Sequence, residues 1–222
     1  MPITQHERSL CYEAARPWSD RAHRSPCCRR GPRSGDSVTA FVRNPAALAD
    51  LADRVTLATG DVTSLQDLSA TLPGHDAVIS ALGAGNSLTS IRADDLFTRS
   101  STALVAAAKE TDVSRLVWLS SFGVGHTLAW SSIPQKMIYR TLLRNIYANK
   151  ATADESIRSS GLDWTIVLPT RLTNDPAKGT YSMGDRLPMK GNPTISRADV
   201  AAFIHKAVHG SEWIHRSPVI SD

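Results

Sequence analysis

The chain has 222 residues, 41% of them hydrophobic and 21% charged, with a formal charge of +4; this is an ordinary globular composition on a chain long enough to bury a sizeable core. No apolar run approaches the roughly 20 residues that span a bilayer, and residues 1–10 lack the apolar stretch of a secretory signal, so a cytoplasmic protein with no membrane partner is expected. The excess charge does not point to nucleic acid: residues 1–34 hold seven basic residues against three acidic, and residues 35–222 hold eighteen of each.

That first segment is unlike the rest. It holds all three cysteines (Cys11, Cys27, Cys28), four of the 12 prolines and no valine. An odd number of cysteines, two of them adjacent and none at ligand spacing from another Cys or His, fits neither a disulfide framework nor a zinc site. The seven histidines of the chain show no metal-ligand spacing, and no metal is expected. The expected division is an anomalous basic segment, 1–34, and one domain, 35–222.

From Gly35 the elements read clearly. Residues 37–43 form a β-branched run that stops at Asn44-Pro45, a helix N-cap followed by proline. A second strand over 54–59 is closed by Gly60-Asp61, and Thr63 can cap a helix carrying Leu65, Leu68 and Leu72 on one face, ended by Pro73-Gly74. Residues 76–82 are a near-continuous apolar strand running into Gly83-Ala84-Gly85. A helix is expected over about 92–110, a strand over 115–121 broken by Gly123 and Gly125, and a helix over 135–160 ended by Gly161. A strand at 164–168 stops at Pro169, and a last helix over 197–208 has Ser196 as its cap. Continuous apolar strands alternating with helices imply βαβ units in an α/β, doubly wound parallel sheet.

In such sheets ligands bind outside the carboxyl ends of the strands. Those ends carry Arg43, Asp61-Val62, Gly83-Ala84-Gly85, Ser120-Ser121 and Pro169-Thr170. A cation, hydroxyls and small residues at successive strand ends suit a nucleotide lying across them.

Six short motifs in this order and spacing carry a resemblance over residues 35–199. They are Val42-Arg43-Asn44-Pro45, Gly60-Asp61-Val62, His75-Asp76-Ala77-Val78-Ile79, Leu119-Ser120-Ser121, Ser160 to Ile166, and Ile195 to Val200. On these the chain resembles the atypical short-chain dehydrogenase/reductase group of NAD(P)H-binding proteins, which includes NmrA-like proteins and the flavin reductase/biliverdin-IXβ reductase type. The resemblance implies a Rossmann-like domain whose first strand and glycine-rich loop are missing or replaced, since only Gly31 precedes Gly35. That loop lets the backbone approach the pyrophosphate.

A one-base shift in the coding sequence is one candidate account of the loss. When residues 11–34 are back-translated and each codon is read from its second base, Tyr12-Glu13 permits Met and Trp18-Ser19 forces Gly. Arg21-Ala22 and Arg24-Ser25 permit Gly, which restores glycines at the first, fourth and seventh positions of the loop. Cys27-Cys28 becomes Ala or Val, and the reading rejoins at Gly35. The alternative is a disordered basic extension on a truncated domain. On either account residues 1–34 as they stand are expected to be irregular or loosely helical.

The resemblance implies cofactor contacts from Arg43, Asp61, Val62, Ala81, Leu82, Gly83, Ser120, Lys150, Pro169 and Thr170, with Ser121 and Lys150 at the reacting end. Arg43 would pair with the 2′-phosphate of NADP in preference to NAD, although at a strand end it could equally be a solvated charge. Asp61-Val62 lies where the family has residues beside the adenine, or is a plain turn. Gly83 and Gly85 are approach points for the nicotinamide-side ribose and phosphate, or loop punctuation. Ser121 could bond the substrate or only its own backbone, and Lys150 the cofactor ribose or only solvent. Tyr147 stands three residues before Lys150, and Tyr139 has Leu143 four residues on; neither gives the spacing of four that places a tyrosine acid beside a lysine. The family's histidine corresponds to a place near Asp154, which tells against bilin reduction. The expected activity is hydride transfer from NADPH to a small or planar acceptor such as a flavin or quinone. The rivals are an NADP(H)-binding sensor without catalysis, as NmrA-like proteins are, or an inactive damaged domain.

Overall fold

The computed structural model describes residues 8–12, 35–83, 95–131, 133–141, 143–189 and 191–222. Its strands are β1 (Arg8–Tyr12), β2 (Ser37–Val42), β3 (Thr56–Thr59), β4 (Ala77–Ser80), β5 (Arg115–Leu119), β6 (Asp163–Pro169), β7 (Arg171–Thr173), β8 (Ser182–Gly184), β9 (Thr194–Ser196) and β10 (Val219–Ser221). The helices are α1 (Leu65–Thr71), α2 (Leu96–Glu110), α3 (Ile133–Thr141), α4 (Arg144–Arg158) and α5 (Arg197–His209), with 3-10 turns at Pro45–Leu51 and Gly125–Trp130.

An eight-stranded sheet runs in the order β3-β2-β1-β4-β5-β6-β10-β8, parallel except for the pair β8 and β10. This is the doubly wound arrangement, and its order reverses between β1 and β4. The central strands β4, β5 and β6 are buried without alternation because both faces are covered. On β4, Val78 packs with Phe41, Leu68, Leu104 and Trp118 on one side, and Ile79 packs with Val42, Leu51, Phe203 and Ile204 on the other. All four β4 residues are buried.

The first strand corrects the expectation of irregular structure for residues 8–12. Arg8 to Tyr12 pair in parallel with Ser37 to Phe41 on one side, and Ser9 to Tyr12 pair with Ala77 to Ser80 on the other. The central slot needs backbone donors and acceptors on both edges, and Leu10-Cys11-Tyr12 supplies a short proline-free run of strand formers. The Arg29 to Arg33 stretch and the glycine-rich-loop question fall in 13–34, outside the described residues.

Three local expectations also change. Ser64, not Thr63, caps α1, accepting from Asp67 N at 3.2 Å. The helix expected over 135–160 is two, α3 and α4. The helix expected from residue 92 is α2, and positions 92–94 lie outside the described residues. Ser196 does cap α5, accepting from Asp199 N at 2.9 Å, and Asn44 caps the turn after β2 by accepting from Ala46 N at 3.1 Å.

Candidate cofactor and substrate site

At the carboxyl end of β2, Arg43 Nη2 donates to Asp61 Oδ1 at 3.2 Å and to Oδ2 at 3.3 Å. Asp61 follows β3 and also accepts from the backbone N–H and the hydroxyl of Thr63, each at 2.9 Å. The Thr63 N–H is the chief reason that the Asp61 carboxyl sits below its ordinary value, with the Thr63 hydroxyl and Arg43 adding to it against partial desolvation. Gly60 fixes this corner, because a Cβ there would come within 2.7 Å of Cε2 of the fully buried Phe41 ring. Val62 turns its side chain into the core with Leu68 and Phe97.

At the carboxyl end of β5, two neighbouring serines part company. Ser120 is buried and its hydroxyl donates to Asp154 Oδ2 at 2.8 Å, inside the core rather than toward a ligand. Asp154 Oδ1 accepts from Trp118 Nε1 at 3.1 Å. Ser121 is half-buried, and its Oγ accepts from Lys150 Nζ at 2.7 Å; the same Nζ lies 3.4 Å from the Ser120 carbonyl and 4.9 Å from the centre of the Phe97 ring. Burial pushes Lys150 down to about 8, opposed by the negative charge of Asp154. Burial likewise pushes Asp154 up to about 6, against the hydrogen bonds of Ser120 and Trp118 and the charges of Lys150 and Arg158. The spacing from Lys150 to Asp154 is one helical turn of α4, so one face of that helix carries both groups into the end of the sheet.

Beside this pair lies a cleft of about 450 Å³, walled by Gly123, Leu128, Tyr139, Tyr147 and Ala151, with Arg144 at its edge. Tyr139 and Tyr147 stack with ring centres 4.8 Å apart. Gly123 has φ +92, and a Cβ there would come within 2.8 Å of Tyr139 Cδ2, so only glycine admits the ring. Tyr147 Oη donates to the Phe122 carbonyl at 3.4 Å, and burial with the adjacent Tyr139 phenol raises its pKa.

The remaining sequence-picked residues border the same edge. Ala81 is half-buried, Leu82 belongs to the core, and Gly83 is exposed with open space where a Cβ would stand; Ala84 and Gly85 lie outside the described residues. The Pro169 carbonyl accepts from Phe122 N at 2.9 Å, and the Thr170 hydroxyl is spent on Ser221 Oγ at 3.2 Å. Sequence reasoning missed Asp154 as a buried anchor. Its signal was an acid one turn after Lys150 amid Ala153 and Ile157, both of which pack inward.

The Arg43–Asp61 corner and the Ser121–Lys150 pair are separated by β1 and β4. Three strand spacings make that about 14 Å, on the reach of an extended dinucleotide crossing the switch point. The last residue of β4 adds an orphan: among the described residues Ser80 Oγ is buried without a hydrogen-bond partner. The residues present therefore fit a dinucleotide at both of its ends.

Comparison with known proteins agrees. Residues 30–210 match the NAD(P)H-binding family model. The chain belongs to the NAD(P)H-binding family. The relatives of this NAD(P)H-binding chain include the UPF0659 protein YMR090W of Saccharomyces cerevisiae, 29% identical over 175 residues, covering 78% of this chain and 70% of that one. A Bacillus subtilis protein described as an uncharacterized sugar epimerase, YhfK, is 27% identical over 141 residues, covering 64% of this chain and 60% of its own length. Among solved structures, ChuY of Escherichia coli O157:H7, described as an anaerobillin reductase, superimposes with TM-score 0.74 at 19% identity, covering 96% of each chain. A short-chain dehydrogenase/reductase of Veillonella parvula in complex with NADP gives TM-score 0.74 at 17% identity, covering 98% of this chain and 95% of that one. These structures show that the fold is shared. No helix among the described residues is long and apolar enough to cross a membrane.

Proposed function

We propose that the protein is a cytoplasmic NADP(H)-dependent oxidoreductase acting on a small, planar acceptor such as a flavin or quinone. The observation that carries this reading is the Lys150–Ser121 hydrogen bond of 2.7 Å at the carboxyl end of β5, beside an aromatic-walled cleft. A cleft of this size suits a small organic molecule. NADPH, when bound, supplies the hydride.

The chain's own residues bind and orient. Arg43 spends one guanidinium nitrogen on Asp61, and its five-donor fork leaves others for a 2′-phosphate. Lys150, held by Ser121 and the Ser120 carbonyl, would bond a ribose hydroxyl of the cofactor, and its own hydrogen bond fixes the Ser121 hydroxyl. Asp154 positions Ser120 and Trp118 beneath them. Tyr139 and Tyr147 offer an aromatic wall to the acceptor, and Arg144 a positive edge. With the Tyr147 hydroxyl donated to the Phe122 carbonyl, the acceptor draws its proton from solvent, and catalysis rests on positioning.

Tyr147, three residues before Lys150 and donating its hydroxyl to the Phe122 carbonyl, favours a second reading, an NADP(H)-binding sensor without turnover. NADPH oxidation with a panel of flavins and quinones, run beside NADPH binding followed by cofactor fluorescence, separates the two. Turnover above the uncatalysed rate supports the oxidoreductase; tight binding with no turnover on the whole panel supports the sensor.

A further inference from the structure

At the opposite edge of the sheet, the α5 residues His205 and His209 and the Asp36 carboxylate just before β2 come together, each offering one ligand atom within 4.8 Å of the others. His205 Nε2 lies 3.0 Å from Asp36 Oδ2 and His209 Nε2 lies 3.1 Å from Asp36 Oδ1, so the two oxygens of one carboxylate face two imidazoles. The Asp36 side chain is only 10% exposed. We propose that Asp36, His205 and His209 form a binding site for one divalent transition-metal ion of the zinc type, remote from the cofactor edge.

The argument starts from His209. Its Nδ1 lies 2.8 Å from the His205 carbonyl oxygen. A carbonyl only accepts, so Nδ1 carries a proton and Nε2 is the nitrogen that faces the carboxylate. At 3.1 Å the nitrogen and the oxygen are held together either by a second proton on the ring or by a cation that both of them ligate. The backbone-anchored N–H is also the arrangement that orients metal-ligating histidines, fixing both the tautomer and the ring. The two rings stand one turn apart with centres 4.5 Å apart; protons on both would set two positive rings against each other, whereas one divalent ion serves both nitrogens and the carboxylate. Two imidazoles and a carboxylate are a donor set for zinc, nickel or cobalt. The α5 carboxyl terminus places its partial negative charge nearby, which also favours a cation. The site joins the last turn of α5 to the entry of β2, so the ion would hold that helix to the sheet and leave the cofactor edge untouched.

The test uses the tag-free full chain, stripped with a chelator and with its cysteines alkylated, titrated with Zn²⁺ by calorimetry and with Co²⁺ by visible absorption. One saturable Zn²⁺ per chain, a Co²⁺ spectrum of four-coordinate intensity and a higher melting temperature with Zn²⁺ are expected. His205→Gln, His209→Gln and Asp36→Asn should each weaken binding at least tenfold and abolish the thermal shift, while NADPH binding stays unchanged. A wild-type chain that takes up no Zn²⁺ overturns the proposal whether or not the variants fold. Unchanged Zn²⁺ affinity in a folded His205→Gln/His209→Gln chain overturns it as well, leaving the cluster as ion pairs held by protons.

Discussion

Lys150 on α4 reaches across the end of the sheet to donate from Nζ to the Ser121 hydroxyl at 2.7 Å, and it does so from a buried position. A charge-assisted hydrogen bond is worth about 1.5 to 3 kcal/mol. Lys150→Met keeps the stem and removes the donor, so kcat/KM with NADPH should fall about tenfold to a hundredfold while the melting temperature stays near wild type or rises, because the desolvated charge is gone. Lys150→Arg should not restore activity, since the wider fork does not fit a site built for one ammonium. Steady-state kinetics beside thermal melts read both outcomes; an undiminished kcat/KM in Lys150→Met removes Lys150 from the site.

The same burial makes stability depend on pH in two windows. The folded Asp154 carboxyl, raised from 3.8 to about 6, binds more protons than in the unfolded chain between those values, so its contribution is full below the lower value and is lost as pH rises through 6. The folded Lys150, lowered from 10.5 to about 8, binds fewer protons than the unfolded chain between 8 and 10.5, so stability rises with pH across that window. Urea unfolding from pH 4 to 10 should show both slopes. Asp154→Asn should remove the acid one and Lys150→Met the alkaline one; slopes that persist in the variants would belong to other groups.

Much of this site was open to sequence reading, because its residues stand at strand ends and strand ends are legible. Arg43, Asp61 and Ser121 stand where continuous apolar runs stop, whereas Lys150, on α4, was implied only by the family resemblance. What could not be read depends on long-range packing. No glycine or proline lies between Thr141 and Arg144, so nothing local announced that α3 and α4 are separate helices, and with that went the stacking of Tyr139 on Tyr147 and the cleft they wall. The first strand is not legible locally: Arg8 to Tyr12 lie in a basic, cysteine-bearing segment, and their ladder is set by neighbours far along the chain. His205 and His209 stand at a helical spacing of four, but the Asp36 that completes their cluster is distant in sequence.

Arg43 and Asp61 form a half-exposed ion pair, and such pairs contribute little stability, about 0 to 1 kcal/mol. Arg43→Ala should therefore melt close to wild type. In cofactor titrations it should lose about tenfold to a hundredfold of NADPH affinity through the missing 2′-phosphate contact and keep its NADH affinity. Equal weakening of both cofactors would make Arg43 a support for Asp61 only.

The phosphate loop gives the next prediction. If a compensated frameshift replaced it, peptides from the native protein should carry the glycine-rich reading in place of Cys11 to Ser34, and a chain repaired in that way should bind NADPH more tightly and melt higher than the chain as it stands. Native peptides containing Cys27-Cys28 would exclude the frameshift. Equal affinity in the two chains would show that residues 1–34 as they stand already serve the cofactor, which β1 makes physically reasonable.

Arg115, at the start of β5, ties the carboxyl end of α5 to the sheet. Its buried guanidinium donates to the Asp163 carbonyl at 2.6 Å, to Thr165 Oγ1 at 2.9 Å, to the Val208 carbonyl at 3.4 Å and to the Ala207 carbonyl. The last two are among the carbonyls that a helix end leaves without an internal partner. Arg115→Met fills similar volume but strands these acceptors away from water, and each buried acceptor left unpaired costs about 1 to 3 kcal/mol. The expected loss in urea unfolding is about 3 kcal/mol or more with an unchanged m-value. Arg115→Lys should recover only part of it, because one ammonium has three donors at a single point and cannot span α5, β5 and β6 together. A loss within about 0.5 kcal/mol of wild type, the range of ordinary surface substitutions, would mean that water or a shift of α5 satisfies those carbonyls and that apolar packing alone holds the helix in place.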